Sequence, residues 1–125
     1  MEVTSYNGLI APDEFWIIKD SYISNGCGDE ATYKIVPDKI LGLDIFPACQ
    51  IHDYMYETAK PEQEKKNLAD RIFWENLQTI IDRYGGILRK LRLIIAAIYF
   101  FAVANFGQKA FWNNKIKERV ENGKE

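Results

Sequence analysis

The strongest fold signal in the chain is the segment Phe46-Pro47-Ala48-Cys49-Gln50-Ile51-His52-Asp53-Tyr54-Met55-Tyr56-Glu57-Thr58. Proline in its first turn and Lys60-Pro61 just beyond its end predict a helix over about 46–58, because proline is tolerated at a helix start and prevents its continuation. Positions 49, 52, 53 and 56 have the spacing of one helical face. That face carries an imidazole and a carboxylate, and a buried carboxylate is costly unless it has a partner.

Further helices are predicted on both sides of this segment. Pro12 with acids at 13 and 14 predicts a short amphipathic helix over Asp13–Tyr22. A second central helix is predicted over about Glu62–Arg83, ending at Gly85-Gly86. A last long helix is predicted over about Ile87–Val120, and a break near Gly107 is left open.

The predicted fold class is all-α, with two antiparallel central helices joined by a short turn and flanked by N- and C-terminal helices. Between the first helix and the central pair, Ser24–Asp44 has no apolar periodicity. Long irregular segments inside small domains tend to be functional, so this segment is predicted to be a functional loop.

Length and composition bound the class of protein. The 125 residues fit one domain, residues 1–125, and the net charge of −2 gives no indication of a nucleic-acid partner. The longest uncharged stretch, Leu93–Gly107, is shorter than the ~20 residues of a membrane-spanning helix. It is therefore predicted to be a buried core helix, and no transmembrane segment is predicted. Met1–Ile10 lacks the pattern of a secretory signal peptide.

The two cysteines, Cys27 and Cys49, leave two alternatives open. They form one disulfide, or they are two buried thiols. A bridge would favour a secreted or exported protein, since disulfides persist in oxidising compartments.

Two groups of residues outside the central segment give the imidazole and carboxylate a chemical context. The loop sequence Asn25-Gly26-Cys27-Gly28 allows backbone carbonyls to converge, and calcium binds carbonyl and carboxylate oxygens such as those of Asp53. Asp70 lies near the core-facing edge of the second central helix, where an acid could fix the tautomer of His52. The alternatives are a hydrogen-bonded core histidine and an exposed ion pair of Asp70 with Arg71 or Lys66.

The order of these motifs between about Asn25 and Leu77 resembles the phospholipase A2 family, most closely its prokaryotic and fungal branch. The resemblance is carried by Gly-Cys-Gly, then Pro-Asp…Gly-Leu-Asp-Ile-Phe, then Ala-Cys-x-x-His-Asp-x-x-Tyr, then Ala-Asp-x-x-Phe. It implies a phospholipase A2-like fold with a calcium-binding loop. It also implies hydrolysis of the sn-2 acyl ester of glycerophospholipids at a membrane or micelle interface, releasing fatty acid and lysophospholipid.

The resemblance also implies roles for individual residues. His52 would be the general base that activates water, Asp70 would orient it, and Tyr56 would hydrogen-bond that aspartate. The Gly28 amide would face the developing oxyanion, and Cys27 would be bridged to Cys49. The implied calcium ligands are Asp53, Asn25, Gly26 and Gly28.

Two other functions remain as alternatives. The first is a non-catalytic lipid-binding or membrane-perturbing module on the same scaffold, and the second is a helical interaction protein without calcium. Apolar residues that could form an acyl channel or interfacial patch, or simply seal the core, are Phe15, Trp16, Ile17, Leu41, Leu43 and Phe46. Basic residues that face either anionic headgroups or solvent are Arg83, Arg89, Lys90 and Arg92.

Overall fold

The computed structural model describes residues 3–22 and 38–122. Within these ranges the chain forms four helices and two small β-hairpins. In chain order the elements are β1 (Val3–Tyr6), β2 (Leu9–Pro12), α1 (Asp13–Ile18), β3 (Lys39–Ile40), β4 (Leu43–Asp44), α2 (Phe46–Thr58), α3 (Gln63–Tyr84) and α4 (Arg89–Asn122). Helices account for most of the described residues, so the helical class predicted from the sequence is confirmed.

The two central helices lie where the sequence places them. α2 has the predicted bounds, with Pro47 in its first turn, and α3 begins and ends within about one residue of the prediction. On α2, the ring of His52 lies 4.9 Å from the ring of Phe73 on α3. Tyr56 is one turn further along α2, yet its ring contacts the ammonium group of Lys66, which is earlier on α3 than Phe73. The contacts therefore progress in opposite directions along α2 and α3, which makes the helices antiparallel.

The first helix is shorter than predicted. α1 ends at Ile18 rather than Tyr22. Both the backbone N–H and the hydroxyl of Ser21 donate to the carbonyl of Ile18, at 2.9 and 3.0 Å. A serine side chain that competes in this way for a backbone carbonyl favours a turn over a continuing helix.

The hairpins were not predicted from the sequence. The β1–β2 turn is formed by Asn7 and Gly8, both with positive φ (54° and 82°), as a tight two-residue hairpin requires. The amide of the buried Asn76 on α3 pairs with both backbone groups of Ile10, at 2.7 and 2.9 Å, and so fixes this hairpin to α3. A second hairpin turns at Leu41-Gly42, within a segment expected to be irregular.

α4 continues without a break through Gly107. A Cβ at this position would lie 2.9 Å from the Tyr56 hydroxyl, so the glycine permits a close approach of α4 to α2 rather than ending the helix. Near the other end of α4, the buried Arg92 donates to the carbonyls of Ile40 and Leu41, at 3.2 and 2.7 Å. The helix is thus held against α2 and the second hairpin.

The expectation that Leu93–Gly107 is a buried core helix is confirmed for one side of the helix and wrong for the other. One side of α4, including Ala96 and Val103, belongs to the core formed with α2 and α3. The opposite side exposes Ile94, Ile98 and Phe101, because α3 covers α4 from one direction only. By length and composition the stretch Arg89–Asn113 would also be long and apolar enough to cross a membrane, a test that core helices pass as well.

Candidate functional site

His52 and Asp70 meet in the interface between α2 and α3. Nε2 of His52 lies 2.8 Å from Oδ1 of Asp70, and both residues are buried. The imidazole is held between the rings of Tyr56 and Phe73, at centroid distances of 4.1 and 4.9 Å. An ionised carboxylate only accepts hydrogen bonds, so Nε2 carries the proton. In the neutral ring this leaves Nδ1 as the proton acceptor.

The Asp70 carboxylate has two further buried donors. The Tyr56 hydroxyl donates to Oδ1 at 2.5 Å, and the Lys66 ammonium donates to Oδ2 at 2.5 Å. Lys66 is only 1% exposed and also donates to the carbonyl of Ala104 on α4, at 3.1 Å. The carboxylate is therefore fixed by side chains from both central helices.

The pKa of Asp70 results from opposing contributions. Burial raises it, whereas the hydrogen bond and charge of His52, followed by hydrogen bonds from Lys66 and Tyr56, lower it. The lowering effects prevail, so the pKa lies below the ordinary value of 3.8. Asp70 is thus an anion at neutral pH, as its role of acceptor for three donors requires.

Lys66 is the member of this cluster that the sequence analysis did not assign. The sequence suggests it only as an exposed partner of Asp70, yet both residues are buried. Its position could have indicated this, because 66, 70, 73 and 77 follow the i, i+4, i+7 and i+11 spacing of one helical face. The side chains at 73 and 77 on that face, Phe73 and Leu77, are fully buried.

Asp53, the predicted calcium ligand, is half-buried on α2. The hydroxyl of Tyr22 donates to Oε2 of Glu57 at 2.9 Å and also interacts with the Asp53 carboxylate. Burial, the negative charge of Asp53 and the contact with Glu57 all raise the pKa of this tyrosine, so it stays neutral. The carboxylates of Asp53 and Glu57 are one turn apart on α2, and the phenol of Tyr22 lies beside both.

The chemistry of these oxygen donors fits calcium, which prefers carboxylate and carbonyl ligands. Within residues 3–22 and 38–122, however, no group of three or more histidine, cysteine or acidic side chains could hold a metal ion. The other predicted ligands, Asn25, Gly26 and Gly28, lie outside the described residues, and so does Cys27. Cys49 is buried one turn before His52, and its bridge to Cys27 stays a prediction.

The residues proposed for an acyl channel do not form one surface. Phe15 is buried in the core against Tyr54, at a centroid distance of 5.4 Å, whereas Ile17 beside it is 83% exposed. In the predicted basic cluster, Arg92 is buried and Arg89 pairs with Asp82 at 2.8 Å. A cavity of about 370 Å³ is lined by Pro12, Glu14, Tyr54, Thr58, Lys60 and Lys65, none of which belongs to the His52–Asp70 cluster.

The arrangement can perform general base chemistry. An imidazole whose Nε2 proton is held by a carboxylate can remove a proton from water through Nδ1, and the carboxylate stabilises the imidazolium that forms. No family model, curated protein or solved structure matches the chain. The geometry of the cluster is therefore the basis for a functional proposal.

Proposed function

We propose that the chain is a calcium-dependent hydrolase of the phospholipase A2 type with a phospholipase A2-like fold. It cleaves the sn-2 acyl ester of glycerophospholipids and releases a fatty acid and a lysophospholipid. The observation that carries this proposal is the buried 2.8 Å contact between Nε2 of His52 and Oδ1 of Asp70. It joins two antiparallel helices, and Asp53 follows His52 directly in the chain.

In the proposed reaction, Nδ1 of His52 removes a proton from a water molecule that attacks the ester carbonyl. Asp70 stabilises the resulting imidazolium, and Tyr56 and Lys66 hold its carboxylate in place. When the tetrahedral intermediate collapses, the imidazolium returns the proton to the departing sn-2 oxygen of the lysophospholipid. Each turnover therefore consumes one water molecule and restores the neutral imidazole.

Calcium, when bound, would polarise the ester carbonyl and stabilise the oxyanion. Asp53 would supply its carboxylate ligand. On the family resemblance, the other ligands would come from Asn25, Gly26 and Gly28, and the Gly28 amide would donate to the oxyanion.

Fatty acid release from mixed micelles or vesicles, with purified protein and millimolar calcium, tests the proposal. His52→Gln should remove turnover and retain calcium binding, because Asp53 is unchanged. Asp53→Asn should abolish calcium binding and turnover together. Asp82→Asn, which alters an exposed aspartate on the same pair of helices, is the matched control and should change neither.

The outcome that would reject the hydrolase is easily recognised. Either the unmodified protein releases no fatty acid under these conditions, or His52→Gln retains full activity. Circular dichroism of each variant must first show that the helical content is unchanged.

A non-catalytic lipid-binding module on the same scaffold is the second candidate. The exposed apolar side of α4 favours it. His52 is buried between α2 and α3, so lipid binding by that side of α4 would not require hydrolysis. Vesicle binding without fatty acid release would identify this alternative.

A further inference from the structure

One side of α4 exposes large apolar side chains over several turns. The exposed fractions are 100% for Ile87, just before the helix, 47% for Leu91, 59% for Ile94, 61% for Ile98 and 67% for Phe101. Within the helix, the spacing of 3, 4 and 3 residues places Leu91, Ile94, Ile98 and Phe101 in one row about 15 Å long, and Ile87 lies just before its start. We call this row the α4 outer face. Within the described residues, no element covers it.

Such a face is unusual in a soluble monomer. Surface helices ordinarily have charged or polar residues on the side opposite the core. Here no charged residue occurs between Arg92 and Lys109, so both sides of the helix are apolar over that interval. Contiguous exposed apolar surface of this kind marks an interaction site.

The charged residues of α4 up to residue 117 are all basic, although Arg89 at its start pairs with Asp82 at the end of α3. Residues 83–117 contain seven basic and no acidic residues, although the whole chain has a net charge of −2. Exposed cations lie at both ends of the apolar row, with Lys90 and the Asp82-paired Arg89 at one end and Lys109 at the other. A partner for this face should therefore be apolar in its centre and negatively charged at its margin.

We infer that the α4 outer face binds the surface of an anionic lipid bilayer. The helix lies parallel to the bilayer, with Ile94, Ile98 and Phe101 inserted among the acyl chains near the headgroups. The cations at its ends contact the anionic headgroups. This combination of an apolar row and flanking basic residues is typical of helices that lie in a membrane interface.

A second copy of the chain fits this face less well. Two α4 helices packed antiparallel about Ile98 would place the Arg89–Lys90 end of one copy near Lys109 of the other. A parallel pair would place Lys90 beside its own counterpart. Arg89 is already paired with Asp82, but no acidic residue between 83 and 117 could pair with Lys90 or Lys109, so either dimer brings like charges together.

The inference names a partner surface for the proposed lipid hydrolase, but binding by this face does not require hydrolysis. The α4 outer face is also a different surface from the interfacial patch that the sequence predicts around Ile17 on α1. Ile17 is 83% exposed and therefore provides a matched control for the isoleucines of α4.

The test is co-sedimentation of the full chain with vesicles in EDTA, which prevents calcium-dependent hydrolysis. Vesicles of phosphatidylcholine containing phosphatidylglycerol are compared with vesicles of phosphatidylcholine alone. We expect Ile98→Glu to weaken binding to the anionic vesicles about tenfold or more, because an inserted isoleucine is replaced by a charge. Ile17→Glu should bind as the unmodified protein does.

A second pair of variants tests the electrostatic contribution to vesicle binding. Lys90→Glu should weaken binding to the anionic vesicles roughly fivefold or more, since each basic residue near such a surface contributes substantially. Lys60→Glu changes an exposed lysine outside the cationic stretch and should have little effect. Added salt should weaken binding of the unmodified protein by screening these contacts.

Several results would overturn the inference. These are no vesicle binding, equal binding to both lipid mixtures, loss of binding in Ile17→Glu but not in Ile98→Glu, or a stable dimer in solution that Ile98→Glu makes monomeric. Hydrolysis of a short-chain phospholipid dispersed as monomers, with calcium, separates this inference from the proposed function. Ile98→Glu should retain that activity, whereas His52→Gln should lose it and still bind vesicles.

Discussion

The α2–α3 interface and the α4 outer face distribute polarity in opposite ways. Between α2 and α3, the charged or polar side chains of His52, Lys66 and Asp70 are at most 8% exposed. On α4, Ile98 and Phe101 are 61% and 67% exposed. Polar residues thus occupy positions that usually hold apolar ones, and apolar residues occupy positions that usually hold charges.

The comparison shows how the fold tolerates buried polar residues in one region and exposed apolar residues in the other. The buried polar groups satisfy one another, and no buried side-chain nitrogen or oxygen in the described part of the chain lacks a hydrogen-bond partner. The exposed apolar residues need no partner within the fold. Leaving them in water loses the stabilisation that burial would give, but it leaves no hydrogen bond unmade. A polar cluster whose members satisfy one another is rigid before any ligand binds, whereas an apolar row that no described residue covers is the surface that the inferred bilayer would cover.

The largest expected effect comes from breaking the buried cluster. Asp70→Leu leaves the Lys66 ammonium buried, with the Ala104 carbonyl as its remaining hydrogen-bond acceptor in the described part of the chain. We expect the free energy of unfolding to fall by about 3–5 kcal/mol, as when one member of a buried ion pair is removed. Urea denaturation followed by circular dichroism measures the change.

Two further variants isolate the cause. Lys66→Met combined with Asp70→Leu removes both charges and should recover a large part of the lost stability. Asp82→Ala breaks the exposed pair with Arg89, whose side chains are about half exposed, and should cost no more than about 1 kcal/mol. If Asp70→Leu were as mild as Asp82→Ala, the cluster would not be the buried network described here.

Acid should weaken the same cluster without any mutation. The pKa of folded Asp70 lies below its ordinary value of 3.8. Its contribution to stability is therefore fully present well above that value and is lost as the pH falls through the folded pKa. Asp70→Asn should lose less stability than the unmodified protein between about pH 5 and about pH 3, whereas Asp82→Asn should keep the original acid dependence. Equal acid dependence in all three proteins would contradict the assignment.

The sequence predicts the central helices well because their signals are local. Pro47 and Pro61 bracket α2, and Gly85-Gly86 follows α3, so both helices end where the backbone chemistry requires. The spacing of His52 and Tyr56 on α2 and the position of Asp70 on α3 place the three residues in one interface. The structure brings them together, while their catalytic roles stay a prediction.

Local sequence signals do not predict the two hairpins or the exposed side of α4. Asn7-Gly8 is a favoured hairpin turn, but flanking strands of only four residues are too short for an alternating pattern to predict the hairpin. The turn at Leu41-Gly42 could not have been foreseen, since a leucine with a φ of 47° is unusual and depends on tertiary contacts. The exposure of Ile98 depends on which side of α4 meets α3, and an all-apolar stretch has no periodicity that reveals this.

A smaller effect is expected where α4 meets the polar cluster. Gly107→Ala places a methyl group 2.9 Å from the Tyr56 hydroxyl, so the ring or the helix must shift. The strain should outweigh the better helix propensity of alanine and destabilise the protein by about 1 kcal/mol. In a Tyr56→Phe background, which lacks the hydroxyl, Gly107→Ala should instead be neutral or stabilising. The same sign in both backgrounds would show that this close approach is not the cause.

The smallest effect is expected on the α4 outer face. Ile98→Glu should change the free energy of unfolding by no more than about 0.5 kcal/mol, because a side chain that is 61% exposed contributes little burial to the fold. Urea denaturation without lipid provides this value, and Ala96→Glu, at a buried position on the same helix, is the contrasting variant. Ala96→Glu should be severely destabilising, since it forces a charge into the core. If Ile98→Glu were comparably destabilising, the outer face would be covered by protein, and the exposure from which a bilayer partner is inferred would not exist in solution.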